Sequence, residues 1–204
     1  MKEPANRRAV LRTLTLGALA TRSGLPAALA GVPPHSLPRL IRLQDELTRV
    51  DPGQLQLAVQ LDQDLAARVR GEPQIGLSIH PVDPGAFLPI DQQLPMQPMH
   101  AAGLPGGLEA APAHRQWLLF ELGAAAQARL RAAQSRLREI LGRQGPHGNA
   151  RVVVTVQQQA LLPADALHLR SRWEAWLQSA RQDGYYPVWT GTVQELAAES
   201  RAES

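Results

Sequence analysis

Apolar residues along this chain recur with two different periods, and the switches between them divide it into elements. Over Ser36–Val50, Leu40, Ile41, Leu43 and Leu47 return at helical spacing, and Ser36 stands where it can cap the first turn, so a helix is predicted there. Asp51-Pro52-Gly53 is a turn. Leu55, Leu57, Val59 and Leu61 then alternate with polar or small residues, the period of a half-buried strand. Gln, Leu and Ala also favour helix, and Leu65 and Val69 would extend an apolar stripe, so a continuous helix is the alternative. The reading taken is a strand at Gln54–Leu61, a short helix at Gln63–Val69 stopped by Gly71, and a second strand at Gln74–His80 paired with the first.

Pro81–Ala113 reads as a long irregular loop, because prolines recur at 81, 84, 89, 95, 98, 105 and 112. Each removes a backbone donor and fixes φ, which opposes helix and central strand alike. The longest helix is placed at Ala113–Leu141, where Leu119, Leu122, Ala126, Leu130, Ala133, Leu137 and Ile140 form one stripe and Arg129, Arg131, Arg136 and Arg138 lie off it. Val152, Val153, Val154 and Val156 mark Arg151–Gln157 as a central strand, buried on both faces. Asp165–Gln182 reads as a helix through Leu169, Trp173, Trp176 and Ala180, Tyr185–Gly191 as an edge strand because of Pro187, and Thr192–Glu195 as a capping box opening a terminal helix. The fold class that follows is α/β or α+β: a small mixed sheet of about four strands with three to four packed helices, closed by a C-terminal strand–helix–strand unit with parallel strands.

Composition alters this picture mainly at the N-terminus. The 204 residues carry a formal charge of +3, but Met1–Ala30 holds five of the 21 basic residues and one of the 18 acidic ones. The remainder is close to neutral, so no general attraction for nucleic acid follows. Lys2, Arg7, Arg8 and Arg12 open the chain, a modest apolar run follows from Thr13 to Thr21, and Ala28-Leu29-Ala30 supplies small residues for a signal peptidase. That order is an export signal, and the run is too short and too interrupted by Arg22 for an anchor of about 20 apolar residues. Asn6-Arg7-Arg8-Ala9-Val10-Leu11-Arg12 resembles the bacterial twin-arginine export motif, with both arginines and Leu11 matching, Val10 in place of the usual Phe and Arg12 in place of Lys. The resemblance covers the signal alone. It implies passage through the twin-arginine translocase, folding before export, and a periplasmic location after cleavage, with residues 31–204 as one domain and no transmembrane segment.

Cysteine is absent, which excludes disulfides and thiolate chemistry. Met96, Met99 and His100 are soft ligands suited to Cu(I), with loop packing as the alternative role for the methionines. His80, Asp83, Asp91, His100 and His114 are of the right types for a zinc or acid–base site if the Pro-rich stretch folds back. Ser78, in Gly76-Leu77-Ser78-Ile79-His80, lacks the nucleophile-elbow pattern, and Gly103-Leu104-Pro105-Gly106-Gly107 lacks the Lys-Ser/Thr of a phosphate loop. Tyr185, Tyr186 and Trp189 offer a partner surface on an edge strand. No cofactor motif is evident. The expectation is an exported accessory or binding protein without catalysis; the alternatives are a small subunit of an exported redox complex, whose cofactor the partner would carry, and a copper-binding protein.

Overall fold

A computed structural model describes residues 32–100, 103–144 and 150–202. The export signal, Arg7, Arg8, Leu11, Ala28 and Ala30 included, lies outside the described residues. The chain forms α1 (Leu37–Asp45), β1 (Gln56–Asp62), α2 (Gln63–Ala66), β2 (Gln74–Pro81), β3 (Ile90–Pro98), β4 (Arg115–Leu122), α3 (Ala124–Gln144), β5 (Ala150–Gln157), β6 (Arg172–Gln178), β7 (Tyr186–Thr192) and α4 (Val193–Ala202). The strands make one seven-stranded sheet in the order β5-β2-β3-β4-β1-β6-β7. Every neighbouring pair is antiparallel and the sheet curls into a half-barrel.

This corrects the expected small mixed sheet with a parallel C-terminal unit, and each difference has a local cause. β3 passes through Pro95 and Pro98 because its two ladders barely overlap, meeting only at Met96, whose N–H donates to the Pro73 carbonyl at 2.9 Å. Ile90–Pro95 pairs with β2, and Met96–Pro98 with β4, so each half is locally an edge and a missing N–H can be tolerated. β4 was hidden because Leu119 and Leu122 fall in step with the stripe of α3; Gly123 separates strand from helix, and α3 keeps Ala126, Leu130, Ala133, Leu137 and Ile140 buried. β6 was hidden because Trp173 and Trp176 are three apart. In the strand Trp173, Ala175 and Leu177 alternate inward, and Glu174 and Trp176 stand on the opposite face. β2 pairs with β3 and β5, not with β1, and the valine-rich β5 is an edge strand with Val153, Val154 and Val156 only half-buried. Ser36 makes no capping bond, and its hydroxyl is buried without a partner.

The three-pair junction between β3 and β4 divides the sheet into a wing of β5-β2-β3 and a wing of β4-β1-β6-β7. The core lies in the angle between them, where Leu57, Val59, Leu61, Ile75, Leu77, Ile79, Leu94 and Leu177 meet Leu40, Leu43 and Leu47 from the α1 region and the stripe of α3. Gln134 of α3 is buried and donates to the carbonyls of Leu47 and Val50, both at 2.8 Å, which ties the helix to the segment after α1. Thr192 and Glu195 form the expected capping box: the Thr192 N–H donates to Glu195 Oε2 at 2.7 Å, and the Glu195 N–H returns to Thr192 Oγ1 at 3.3 Å. Among the described residues no helix is long and apolar enough to cross a membrane.

Candidate functional site

α1 and the 3-10 turn that follows it at Leu47–Arg49 present two stripes. Leu40, Leu43 and Leu47 turn into the core, and beside them Arg39, Arg42, Glu46 and Arg49 follow at steps of three and four. This second stripe faces the hairpin that joins β6 to β7. Between them is a cleft of about 280 Å³, lined also by Asp51, Gln54, Ser179, Gln182, Asp183 and Tyr186. The Arg39 guanidinium lies over the Tyr186 ring, 5.4 Å from its centroid, and donates to the Asp183 carbonyl at 3.2 Å. The Asp51 carboxylate is committed to its own turn, accepting from the Gly53 N–H and the Gln54 amide. Gln54 in turn accepts from the Arg181 N–H at 3.0 Å, which fixes the hairpin across the cleft.

Tyr186 closes the cleft from β7. Its side chain is 2 % exposed, and its hydroxyl is buried with no hydrogen bond of ordinary geometry. Burial raises its pKa, and the nearby Ser179 and Arg39 oppose that without overcoming it, so the phenol stays a neutral donor at physiological pH. A buried hydroxyl without a partner costs about 1–3 kcal/mol, and here it belongs to a ring in the wall of a cleft that Arg39, Arg42 and Arg49 also line. Sequence reading singled out Tyr186, as part of a partner surface, and missed the arginines opposite it. The basic stripe of α1 was legible as a helical spacing, but nothing in it indicates which segment lies opposite.

The residues expected to carry chemistry are distributed elsewhere. Of His80, Asp83, Asp91, His100 and His114, the structure brings together His80 and Asp91: His80 Nε2 lies 3.1 Å from Asp91 Oδ1, and Ser78 Oγ donates to the same oxygen at 2.5 Å. The Ser78 bond, followed by the nearness of His80, holds the Asp91 carboxyl below the usual carboxylate range. Ser78 faces the carboxylate and not the imidazole, so this exposed trio does not pair a nucleophile with a base. No group of three or more His, Asp or Glu side chains among the described residues is arranged for a metal ion. Met96 is fully buried on the core face of β3, Met99 is half-buried beyond its end with its N–H on the Leu119 carbonyl, and His100 is exposed.

The residues of the expected partner surface are buried. Tyr185, Tyr186 and Trp189 are 5 %, 2 % and 6 % exposed, and the two tyrosines occupy opposite faces of the sheet. On the face away from the core, Arg115 of β4 reaches over β1 to Glu174 of β6 at 2.9 Å and donates to the carbonyls of Gln60 and Arg172, while Arg172 completes the pair at 2.7 Å. Placing residues 172–176 in a helix concealed this network, since only a strand sets Arg172 and Glu174 on one face.

Tyr185 allows a measurement. Its hydroxyl donates to Gln56 Oε1 at 2.7 Å, and burial pushes its pKa up to about 12. An unfolded phenol titrates near 10, so the folded state holds this proton more tightly. The contribution to stability is complete below about pH 10 and is lost as the pH rises toward 12. The unfolding midpoint is expected to fall across that window, and Tyr185→Phe should make the fall shallower. An unchanged alkaline profile in the variant would remove Tyr185 from this account.

Comparison of the chain with protein-family models, with curated protein sequences and with solved structures gives no match.

Proposed function

We propose that this chain is an exported periplasmic binding protein without catalysis, and that the cleft between α1 and the β6–β7 hairpin holds a small carboxylate or phosphate compound. The observation that carries the reading is the Tyr186 hydroxyl, buried and unpartnered on a cleft whose wall supplies Arg39, Arg42 and Arg49. Guanidinium forks match carboxylate and phosphate oxygens in pairs, and a neutral phenol adds a directed donor. Glu46 and Asp183 line the same cleft, so a ligand that also carries an amine is favoured over a bare dianion. The volume of about 280 Å³ sets the size at an amino acid or a similarly small acid. Export rests on the composition of Met1–Ala30 and on the resemblance of its arginine pair to the twin-arginine motif.

Thermal unfolding in the presence of amino acids, hydroxy acids, dicarboxylates and inorganic phosphate tests the reading. A cognate ligand at a hundredfold excess over its dissociation constant stabilises the protein by about 2.7 kcal/mol. Tyr186→Phe should weaken that ligand about tenfold through the lost hydrogen bond, and Arg39→Gln more. Tyr186→Phe should change the ligand-free midpoint little, since the hydroxyl makes no hydrogen bond of ordinary geometry there. If no compound of these classes moves the midpoint, or if Tyr186→Phe binds normally, the cleft is not the site.

A further inference from the structure

The two edges of the sheet are unlike each other. β7 carries Pro187, which has no donor to offer, and its ladder with β6 is broken by an irregularity between Ala175 and Trp176. Both features discourage a further strand. β5 has neither protection. Among the described residues it pairs only with β2, its ladder runs without interruption from Ala150 to Gln157, and Val152-Val153-Val154-Thr155-Val156 contains no charge, proline or glycine. Val153, Val154, Thr155 and Val156 are all only half-buried. A regular β-branched edge of this kind is a template for strand addition.

The order of residues on that edge is nearly the same in both directions. We propose that β5 pairs antiparallel with β5 of a second copy of this chain about a two-fold axis through Val154, joining two half-barrels into one continuous sheet. In that register Val154 meets its own copy, Val152 meets Val156, Val153 meets Thr155 and Arg151 meets Gln157. Every directly opposed pair is β-branched against β-branched, or a guanidinium against a neutral amide. A one-residue shift of the centre, to Val153 or Thr155, would instead set Val156 against Ala150 or Val153 against Gln157 and lose this matching. The contact is isologous and therefore closes at two copies. The unprotected edge is consumed, and the edges that remain are the two carrying Pro187.

Sedimentation velocity and light scattering on the purified chain test this, with two charged variants to report the register. Val153→Glu with Thr155→Glu alters only the face away from the core and places Glu directly opposite Glu twice in the dimer. Val153→Lys with Thr155→Lys does the same with ammonium groups. The wild-type chain is expected to be a dimer, each double variant a folded monomer, and an equimolar mixture of the two a dimer again. Amide exchange on the unaltered chain gives an independent readout: the outward-facing N–H groups of residues 150–157 should be slower to exchange as concentration rises. A monomeric wild type, a double variant that stays dimeric, a mixture of folded variants that fails to reassociate, or β5 exchange independent of concentration would each overturn the proposal. So would a monomer that recruits a strand from a different protein.

Discussion

Trp173→Ala is expected to lower the unfolding free energy by about 4 kcal/mol, the range for truncating a large buried aromatic. Trp173 is 0 % exposed on the inner face of β6, and its indole N–H donates to Gln158 Oε1 at 2.8 Å. Gln158 is itself buried, so the substitution leaves both a cavity and an acceptor without a donor. Trp173→Phe separates the two effects: the ring is largely kept, the acceptor is orphaned, and the expected cost is about 2 kcal/mol. Trp176 supplies the contrast. It lies on the opposite face, stacked edge-on against Trp117 with ring centroids 6.1 Å apart, and its indole nitrogen is buried without a partner. Trp176→Phe therefore breaks no hydrogen bond and should cost about 1 kcal/mol or less. Chemical denaturation followed by circular dichroism reads all three. Equal losses at Trp173 and Trp176 would place both rings on one face and contradict the strand.

That comparison also shows what the sequence disclosed and where it misled. Alternation was readable wherever small or polar residues separated the apolar ones, as in Leu57, Val59 and Leu61 of β1 and Ile75, Leu77 and Ile79 of β2. The Thr192–Glu195 capping box was readable because it is local. In β6 the inward residue between Trp173 and Leu177 is Ala175, and the bulky outward Trp176 outweighs it in any count of apolar spacing. Proline gave the wrong answer in β3 because its cost depends on whether a second strand lies alongside at that residue, a fact fixed by β2 and β4 and not by β3 itself. Burial of β5 was overestimated for the same reason: valines describe a strand that suits a sheet, not its position in one. In the cleft, Arg39, Arg42 and Arg49 are visible as a helical stripe, but Tyr186 reaches them only through a hairpin more than a hundred residues away. The aromatic cluster at Tyr185–Trp189 was legible as a cluster, but not its burial, which depends on what packs against each face of β7.

Gly71→Ala is expected to cost about 3 kcal/mol, at the upper end of what over-packing usually brings. Gly71 lies between α2 and β2, and its φ is not in the left-handed region, so conformational freedom is not what it supplies. A Cβ there would sit 1.8 Å from the carbonyl oxygen of Ala160 and 2.6 Å from its carbon. These are backbone atoms, which cannot rotate aside as a side chain would. One of the two segments must move, and the one carrying Ala160 is held by Leu161, 1 % exposed, and by the Leu161 N–H on the Gln158 carbonyl at 2.9 Å. Displacing it pulls on the residue that accepts from Trp173, so the two sites are mechanically connected. Gly71→Ala combined with Trp173→Phe should therefore cost less than the sum of the separate losses, because the hydrogen bond strained by the first is already gone in the second. Strict additivity would confine the strain to Gly71 and Ala160, and a Gly71→Ala protein of normal stability would show that the two backbones are not in contact.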